Sequence, residues 1–173
     1  MPLAYEYKII CIDEAHFRRD SDKRRCWSLI GKTPIVHVNV SKQNTNVYGA
    51  YTLDGKFHYK FVEKQLATKT IAFFKRLMKI YKKIIFIIDK ARWHTAKIVN
   101  KFVQQNKRSI KIVYFPTTSP DVNPVEECWR QTRNNVTANT AFDDTELLKK
   151  ALKTEWNKQK FRHKSINYLL PIL

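Results

Sequence analysis

The sequence predicts an α/β fold: a mixed five-stranded sheet, with three antiparallel strands first and alternating helices and strands after them, flanked by helices. Two observations support this prediction. Apolar and polar residues alternate as far as Phe61, as they do in strands, and apolar residues then recur every three or four positions from Leu66, as they do in helices. The run IIFIID at residues 84–89 is apolar up to its last residue, which is typical of a strand buried on both faces of a parallel sheet.

The amino-terminal half is predicted to be an antiparallel meander. Its first strand is short and rich in isoleucine, and it ends in acid at Asp13 and Glu14. A strongly basic turn follows, which we expect to form the tip of a hairpin. The turn dipeptide Asp54-Gly55 precedes the last extended segment. The predicted strands span residues 7–13, 35–40 and 47–53, with a further short strand or extended edge at 57–61.

The carboxyl-terminal half is predicted to alternate between helices and strands. An apolar stripe from Leu66 to Tyr81 marks one helix face as core rather than as a cofactor-binding box. Asp143 and Asp144 cap a last amphipathic helix, and the apolar tail is expected to dock on the body. These elements are a helix over 66–81, a strand over 84–89, a helix from about residue 93, a strand over 109–115, a helix from residue 143 and the tail over 167–173.

The segment SPDVNPVEECWR combines a helix start with paired carboxylates. Asn123 is a good N-cap and Pro124 suits the first helical position, so we predict a helix from there to about residue 134. Trp129 lies four residues after Val125 and shares with it a face that packs into the core. Glu126 lies about 100° around the helix axis from Val125, where it can point along the edge of a cleft.

The composition indicates a nucleic-acid partner. The chain has 173 residues, enough for one domain over residues 1–173, and its 33 Lys and Arg against 15 Asp and Glu give a formal net charge of +18. The cations are interleaved with aromatic residues, which favours a binding surface over a merely lysine-rich protein. Three cysteines without CxxC spacing, no secretory signal and no apolar run of about 18 residues predict a cytoplasmic protein, nucleoid-associated when bound to DNA, with no membrane contact.

Three acidic residues are placed where chemistry is expected: Asp13, Asp89 and Glu126. The predicted topology brings the first and fourth strands side by side, and the late helix can cross their carboxyl edge, where ligands of open α/β sheets collect. Converged carboxylates repel one another unless a cation neutralises them. Their oxygens suit Mg²⁺ or Mn²⁺, and two ions about 3.5–4 Å apart can serve phosphodiester displacement. Without HExxH or paired-cysteine spacing, we do not expect zinc.

The segments CIDEAHF, IIFIIDKARWHTAK and FPTTSPDVNPVEECW resemble the three catalytic blocks of mariner-superfamily DDE transposases, particularly those of the bacterial and archaeal insertion-sequence branch. The two aspartates are separated by 75 residues, and Asp89 and Glu126 by 36. The resemblance implies an RNase H-like fold and Asp13, Asp89 and Glu126 as a metal-binding catalytic triad. It also implies cleavage of DNA at the element end by metal-activated water, then attack of the freed 3′-hydroxyl on target DNA. Because the family places its acid directly after NP and an apolar residue, Glu126 is favoured over Glu127.

Two departures from the family bear on function. Lys90 stands where the family usually has Asn, and it can pair with a phosphate or disturb the metal shell. Relatives carry an amino-terminal helix-turn-helix region that recognises terminal inverted repeats, and we expect it to be absent here. The chain is then either the second product of a split reading frame, with that region encoded separately, or a truncated copy, and we expect a homodimer in the active complex. The alternatives are an inactive or domesticated remnant that only binds DNA, and an RNase H-like nuclease that acts on RNA or a hybrid duplex.

Cations near the predicted site are candidates for DNA contact. The basic turn after the first strand is either a solvated turn or a loop that contacts phosphates. Glu14 is expected to point to the sheet face opposite Asp13, and a lone His such as His94 is more often structural than catalytic. The candidate DNA-binding residues are Arg18, Arg19, Lys23, Arg24, Arg25, Lys90, Arg92, His94 and Arg130.

Overall fold

The computed structural model of the chain describes residues 7–38, 42–116, 122–158 and 160–161. Five strands form one sheet: β1 (Lys8–Arg18), β2 (Asn44–Thr52), β3 (Phe57–Val62), β4 (Ile84–Ile88) and β5 (Ile110–Tyr114). Their order across the sheet is β3-β2-β1-β4-β5. The first three strands pair antiparallel, whereas β4 runs parallel to both β1 and β5, so the predicted mixed sheet is confirmed.

Helices cover both faces of the sheet. They are α1 (Ala67–Ile80), α2 (Arg92–Thr95), α3 (Lys97–Gln105), α4 (Pro124–Thr132) and α5 (Thr145–Lys158). The predicted inner stripe of α1 is buried against one face, together with α3. The opposite face carries α4 and α5 over a core of aliphatic and aromatic side chains. Among the described residues, no helix has both the length and the apolar character to cross a membrane.

The ends of the helices follow local capping chemistry. α4 begins at Pro124 as predicted, and a π-helical turn over Arg133–Thr137 continues it. Asp144 Oδ1 accepts a hydrogen bond from the backbone N–H of Leu147 at 2.7 Å and so caps α5. The helix expected near residue 93 is broken at Ala96 into α2 and α3. The tail over 167–173 and residues 119–121 of the SPDVNP segment lie outside the described residues.

The first strand is longer than predicted. Asp13 pairs with Gly49, and β1 continues to Arg18. The polar residues after Asp13 suggested a break, but Ala15 and Phe17 remain buried, so the alternation of a strand persists beneath them. The pairing with β4 ends earlier, and Asp13 therefore marks the point where β1 leaves β4 rather than its own end.

The predicted strand over 35–40 is wrong for its described part, because residues 35–38 form no strand and Ile35 is exposed. Residues 39–41 lie outside the described part of the chain. The predicted basic-tipped hairpin is confirmed in the antiparallel pairing of β1 with β2, but the described basic residues between these strands lie in a long excursion rather than a tight turn. A bridge between Asp22 and Ala138 holds this β1–β2 excursion. Alternation marks a segment that can form a strand, but β2, from residue 44, already occupies the edge of β1.

Gly49 in β2 permits a close contact between the sheet and α4. A Cβ atom at this position would lie 2.4 Å from the ring of Trp129, well inside van der Waals contact. The indole therefore lies directly on the β2 backbone, where its ring centroid is 5.9 Å from Phe17 and 5.5 Å from Phe57. This packing fixes the position of α4 over the carboxyl half of β1.

Candidate active site

Asp13 and Asp89 lie level with each other on adjacent strands. Cys11 of β1 pairs with Ile87 of β4, and each aspartate follows two residues later. Because parallel neighbouring strands are about 4.8 Å apart, this register brings the two carboxylates to one edge of the sheet. The structure therefore brings these two predicted site residues together.

The carboxylate of Asp13 is held by a hydrogen bond, while its surroundings disfavour its negative charge. Its Oδ2 accepts a hydrogen bond from Nε1 of Trp129 at 2.9 Å. Burial, followed by the negative charges of Glu126 and Glu14, raises the pKa of Asp13 well above its usual range. Because the charge of Glu126 acts on Asp13, the third predicted acid lies near the first. A cation between these carboxylates would relieve their repulsion.

The two acids of the first turn of α4 differ in their surroundings. Asn123 caps the helix, since its side-chain oxygen accepts a backbone hydrogen bond at 3.1 Å. The carboxylate of Glu127 accepts hydrogen bonds from Arg130 at 2.6 and 2.7 Å and from Gln131 at 2.6 Å. Glu126 is exposed and forms no hydrogen bond or ion pair with the described side chains. Glu126 is thus the acid that remains available to a ligand.

His94 joins Asp89 to Glu14. Its ring is completely buried, with Nδ1 2.7 Å from Asp89 Oδ1 and Nε2 2.8 Å from Glu14 Oε1. Burial disfavours the charged ring, but the hydrogen bonds with both carboxylates outweigh it and raise the pKa of His94 to about 9. Each ring nitrogen faces a carboxylate oxygen, so the protonated ring can donate from both nitrogens. The hydrogen bond from His94 in turn lowers the pKa of Asp89.

The family follows from comparison with known proteins. The model of the DDE superfamily endonuclease matches residues 8–149. The chain belongs to this family. One curated relative is the protein named Uncharacterized protein y4pE/y4sA, from Sinorhizobium fredii. The two sequences are 32% identical over 74 residues, which are 43% of this chain and 51% of the relative.

Solved structures confirm the predicted RNase H-like fold of the DDE chain. The Mos1 mariner paired-end complex with Mn has a TM-score of 0.73 at 20% identity, covering 95% of this chain and 53% of that chain. The catalytic domain of Mos1 mariner transposase has a TM-score of 0.69 at 17% identity, covering 98% and 80%. The catalytic core domain of BIV integrase has a TM-score of 0.55 at 14% identity, covering 87% and 84%. The chain spans about half the length of the curated relative and of the Mos1 chain in the Mn complex.

The cations predicted to contact DNA fall into two groups. Arg19 donates to two backbone carbonyls just before α5, and Arg24 donates to Asn134, so both fasten the β1–β2 excursion to the body. Arg130 pairs with Glu127. The prediction of DNA contact is wrong for His94, because its ring is buried between two carboxylates. The exposed candidates outside these bonds are Arg18, Lys23, Arg25, Lys90 and Arg92.

The donor set of the three predicted acids suits a hard divalent cation. Asp13, Asp89 and Glu126 offer only carboxylate oxygens, which Mg²⁺ and Mn²⁺ prefer. Asp89 uses Oδ1 for its hydrogen bonds with His94 and with the backbone N–H of Ala91, which leaves Oδ2 for a ligand. In the part of the chain that the structure describes, no three His, Cys, Asp or Glu side chains are drawn together tightly enough to hold an ion as they stand.

Two supporting contacts were missed at the level of sequence. Trp129 was predicted only as core, yet its indole N–H holds Asp13. Glu14 was correctly assigned to the opposite sheet face, but its bond to His94 was not foreseen. The available signal was the position of His94 five residues after Asp89, in the first helical turn beyond a strand end.

Proposed function

We propose that this chain is the catalytic domain of a DDE transposase, which cleaves DNA strands at transposon ends and transfers them to target DNA. The level placement of Asp13 and Asp89, with Glu126 close enough to raise the pKa of Asp13, carries this proposal. Membership of an endonuclease family supports it over an inactive DNA-binding remnant. One solved structure with the same fold is the Mos1 transposase paired-end complex with the left transposon end.

Asp13, Asp89 and Glu126 would hold the ions, two of Mg²⁺ or Mn²⁺. Bound there, such ions activate the attacking oxygen and stabilise the leaving oxygen in phosphodiester displacement. Mos1 has been crystallised with either metal. The protein's own contribution is orientation: Trp129 holds Asp13, and the start of α4 places Glu126 where the helix dipole favours its negative charge.

DNA is the proposed substrate at both steps. A formal net charge of +18 supports binding to a polyanion, and Lys90 and Arg92 lie exposed just after Asp89, where they can meet the phosphates beside the cleaved bond. We propose that a helix-turn-helix part recognises the transposon ends as a partner of this catalytic domain. The complex would act in the cytoplasm, on nucleoid DNA.

The acting form is proposed to be a homodimer, because pairing two transposon ends requires two catalytic domains. Trp27 and Ile30, in the β1–β2 excursion, are fully exposed apolar side chains, and burial against a second copy would remove this surface from water. The variant Trp27→Ser with Ile30→Ser is expected to shift the DNA-bound protein from dimer to monomer in light scattering. The exposed control Leu147→Ser on α5 should leave the dimer intact. A wild-type monomer on paired ends would contradict the homodimer.

The catalytic proposal is tested by comparing the two neighbouring acids of α4. Glu126→Gln is expected to reduce Mn²⁺-dependent nicking of duplex DNA by roughly 10²–10³-fold, as loss of one essential electrostatic group does. Glu127→Gln removes the charge that pairs with Arg130 and accepts from Gln131, both at the protein surface and away from the three acids, and should retain nicking within about threefold. An RNA–DNA hybrid assayed in parallel separates a transposase from an RNase H-like nuclease.

Equal nicking by the wild type and Glu126→Gln would overturn the assignment of Glu126. Salt-sensitive DNA binding by the wild type without any metal-dependent cleavage would instead identify a remnant that only binds DNA. Preferential cleavage of the hybrid would identify the nuclease alternative.

A further inference from the structure

We propose that Glu14 and His94 are positioning residues that fix the carboxylate of Asp89 for ion binding, so that a residue on the far face of the sheet controls the geometry of the site. This inference rests on the proposed function of the three carboxylates. It assigns a task to Glu14, which the catalytic triad does not use, and replaces the DNA-contact role predicted for His94.

Asp89 needs hydrogen bonds to hold its carboxylate in one orientation. It follows the last residue of β4, and its side chain is 51% exposed, so packing alone does not determine its rotamer. Its Oδ1 is bonded to His94 Nδ1 at 2.7 Å and to the backbone N–H of Ala91 at 3.0 Å. Two donors on one oxygen fix the carboxylate plane, and the other oxygen is then directed by the same two bonds.

The ring of His94 is held by a hydrogen bond rather than by its short helix. The imidazole is completely buried, although it belongs to a helix of only four residues. Such a short helix does not hold a side chain by itself, because most helical stability comes from packing. The ring is anchored instead at Nε2, which donates to Glu14 Oε1 at 2.8 Å, and the Glu14 side chain is only 5% exposed. Asp89 is thus fixed through two hydrogen bonds to the central strand.

Strand β1 carries residues that position both aspartates. Asp13 and Glu14 are consecutive on this strand and point to opposite faces. Asp13 is itself a proposed ligand, and Glu14 determines the position of the other aspartate through His94. Strand β1 therefore determines the positions of the carboxylates of both Asp13 and Asp89. Outer contacts of this kind typically change metal affinity or activity 10- to 100-fold when they are removed.

The experiment measures Mn²⁺ affinity by electron paramagnetic resonance of the free ion, which does not depend on catalysis. His94→Ala is expected to raise the Mn²⁺ Kd roughly 10- to 100-fold. His94→Asn, whose amide nitrogen lies near the position of Nδ1 and can still donate to Asp89, should recover most of this loss. His94→Gln, whose amide reaches towards Glu14 but not Asp89, should not recover it.

Glu14→Ala tests the anchor itself. It should raise the Kd in the same direction as His94→Ala, and the double variant should bind no more weakly than His94→Ala alone, because the two residues act through one chain. His58→Ala is the matched control: His58 is a half-buried histidine bonded to Tyr81 at 2.9 Å, and it lies in β3, away from the site. Its Kd should equal that of the wild type.

The outcomes distinguish this inference from the proposed function. Circular dichroism establishes that each variant is folded. If His94→Ala does not fold, the Mn²⁺ Kd of His94→Asn is compared with that of His94→Gln, and only the Gln variant should bind more weakly than the wild type by a wide margin. Mn²⁺ binding unchanged by loss of His94, or restored equally by Asn and Gln, would leave His94 a merely structural residue and the triad intact. A wild type that binds no Mn²⁺ would overturn both the inference and the metal-dependent function.

Discussion

Asp13→Asn is expected to eliminate metal-dependent nicking and to make the fold more stable. Asparagine keeps an oxygen that can accept the hydrogen bond of Trp129, but it removes a charge that burial, Glu126 and Glu14 all oppose. We expect nicking to fall roughly 10²–10³-fold, as for loss of one essential electrostatic group. Stability at neutral pH should rise by roughly 1 kcal/mol, about 2–4 °C in Tm for a chain of this size.

Asp54→Asn is the control for this prediction. Asp54 is exposed and paired with Lys8 at 2.7 Å, an arrangement that lowers its pKa, so its charge is favourable in the folded state. Its replacement should leave nicking unchanged and should not stabilise the fold. If Asp13→Asn instead retained nicking or lowered the Tm, the picture of a strained carboxylate that a cation relieves would be wrong.

Trp129→Ala is expected to cause the largest loss of stability. Trp129 is buried in an aromatic cluster, and removing so large a side chain costs about 3–5 kcal/mol, measurable by urea unfolding. Trp129→Phe retains part of the packing but no N–H donor to Asp13, so it tests the second role of the indole at a smaller loss of stability. This variant should be less destabilised and should still show reduced nicking.

Trp156→Phe provides the matched comparison. The indole of Trp156 belongs to the same cluster and donates to Thr132 Oγ1 at 2.9 Å, not to a site carboxylate. Both Phe variants should lose similar stability, and only Trp129→Phe should lose activity. Gly49→Ala should act in the same direction as Trp129→Phe, since its methyl group would displace the indole. Equal nicking by the two Phe variants would show that the bond to Asp13 is dispensable.

Much of the fold could be predicted because its signals are local. The change of period near Leu66, the apolar run that forms β4 and the Asn-Pro start of α4 each depend on neighbouring residues, and each matches the structure. The predicted strand over 35–40 failed for the complementary reason. Whether an alternating segment becomes a strand depends on a free edge to pair with, and β2 already occupies that edge of β1.

The candidate site also has features that are local in the sequence and features that depend on contacts between distant residues. By itself, the sequence determined which three carboxylates to propose, because their residue types and spacing are visible in the chain. The strand register decided that Asp13 lies level with Asp89, whereas the pairing of Glu127 with Arg130 is local to α4. Only the tertiary structure revealed that Trp129 and the Glu14–His94 pair hold the two aspartates. Those bonds span 116 and 80 residues of sequence, and no local pattern encodes a contact created by the packing of distant elements.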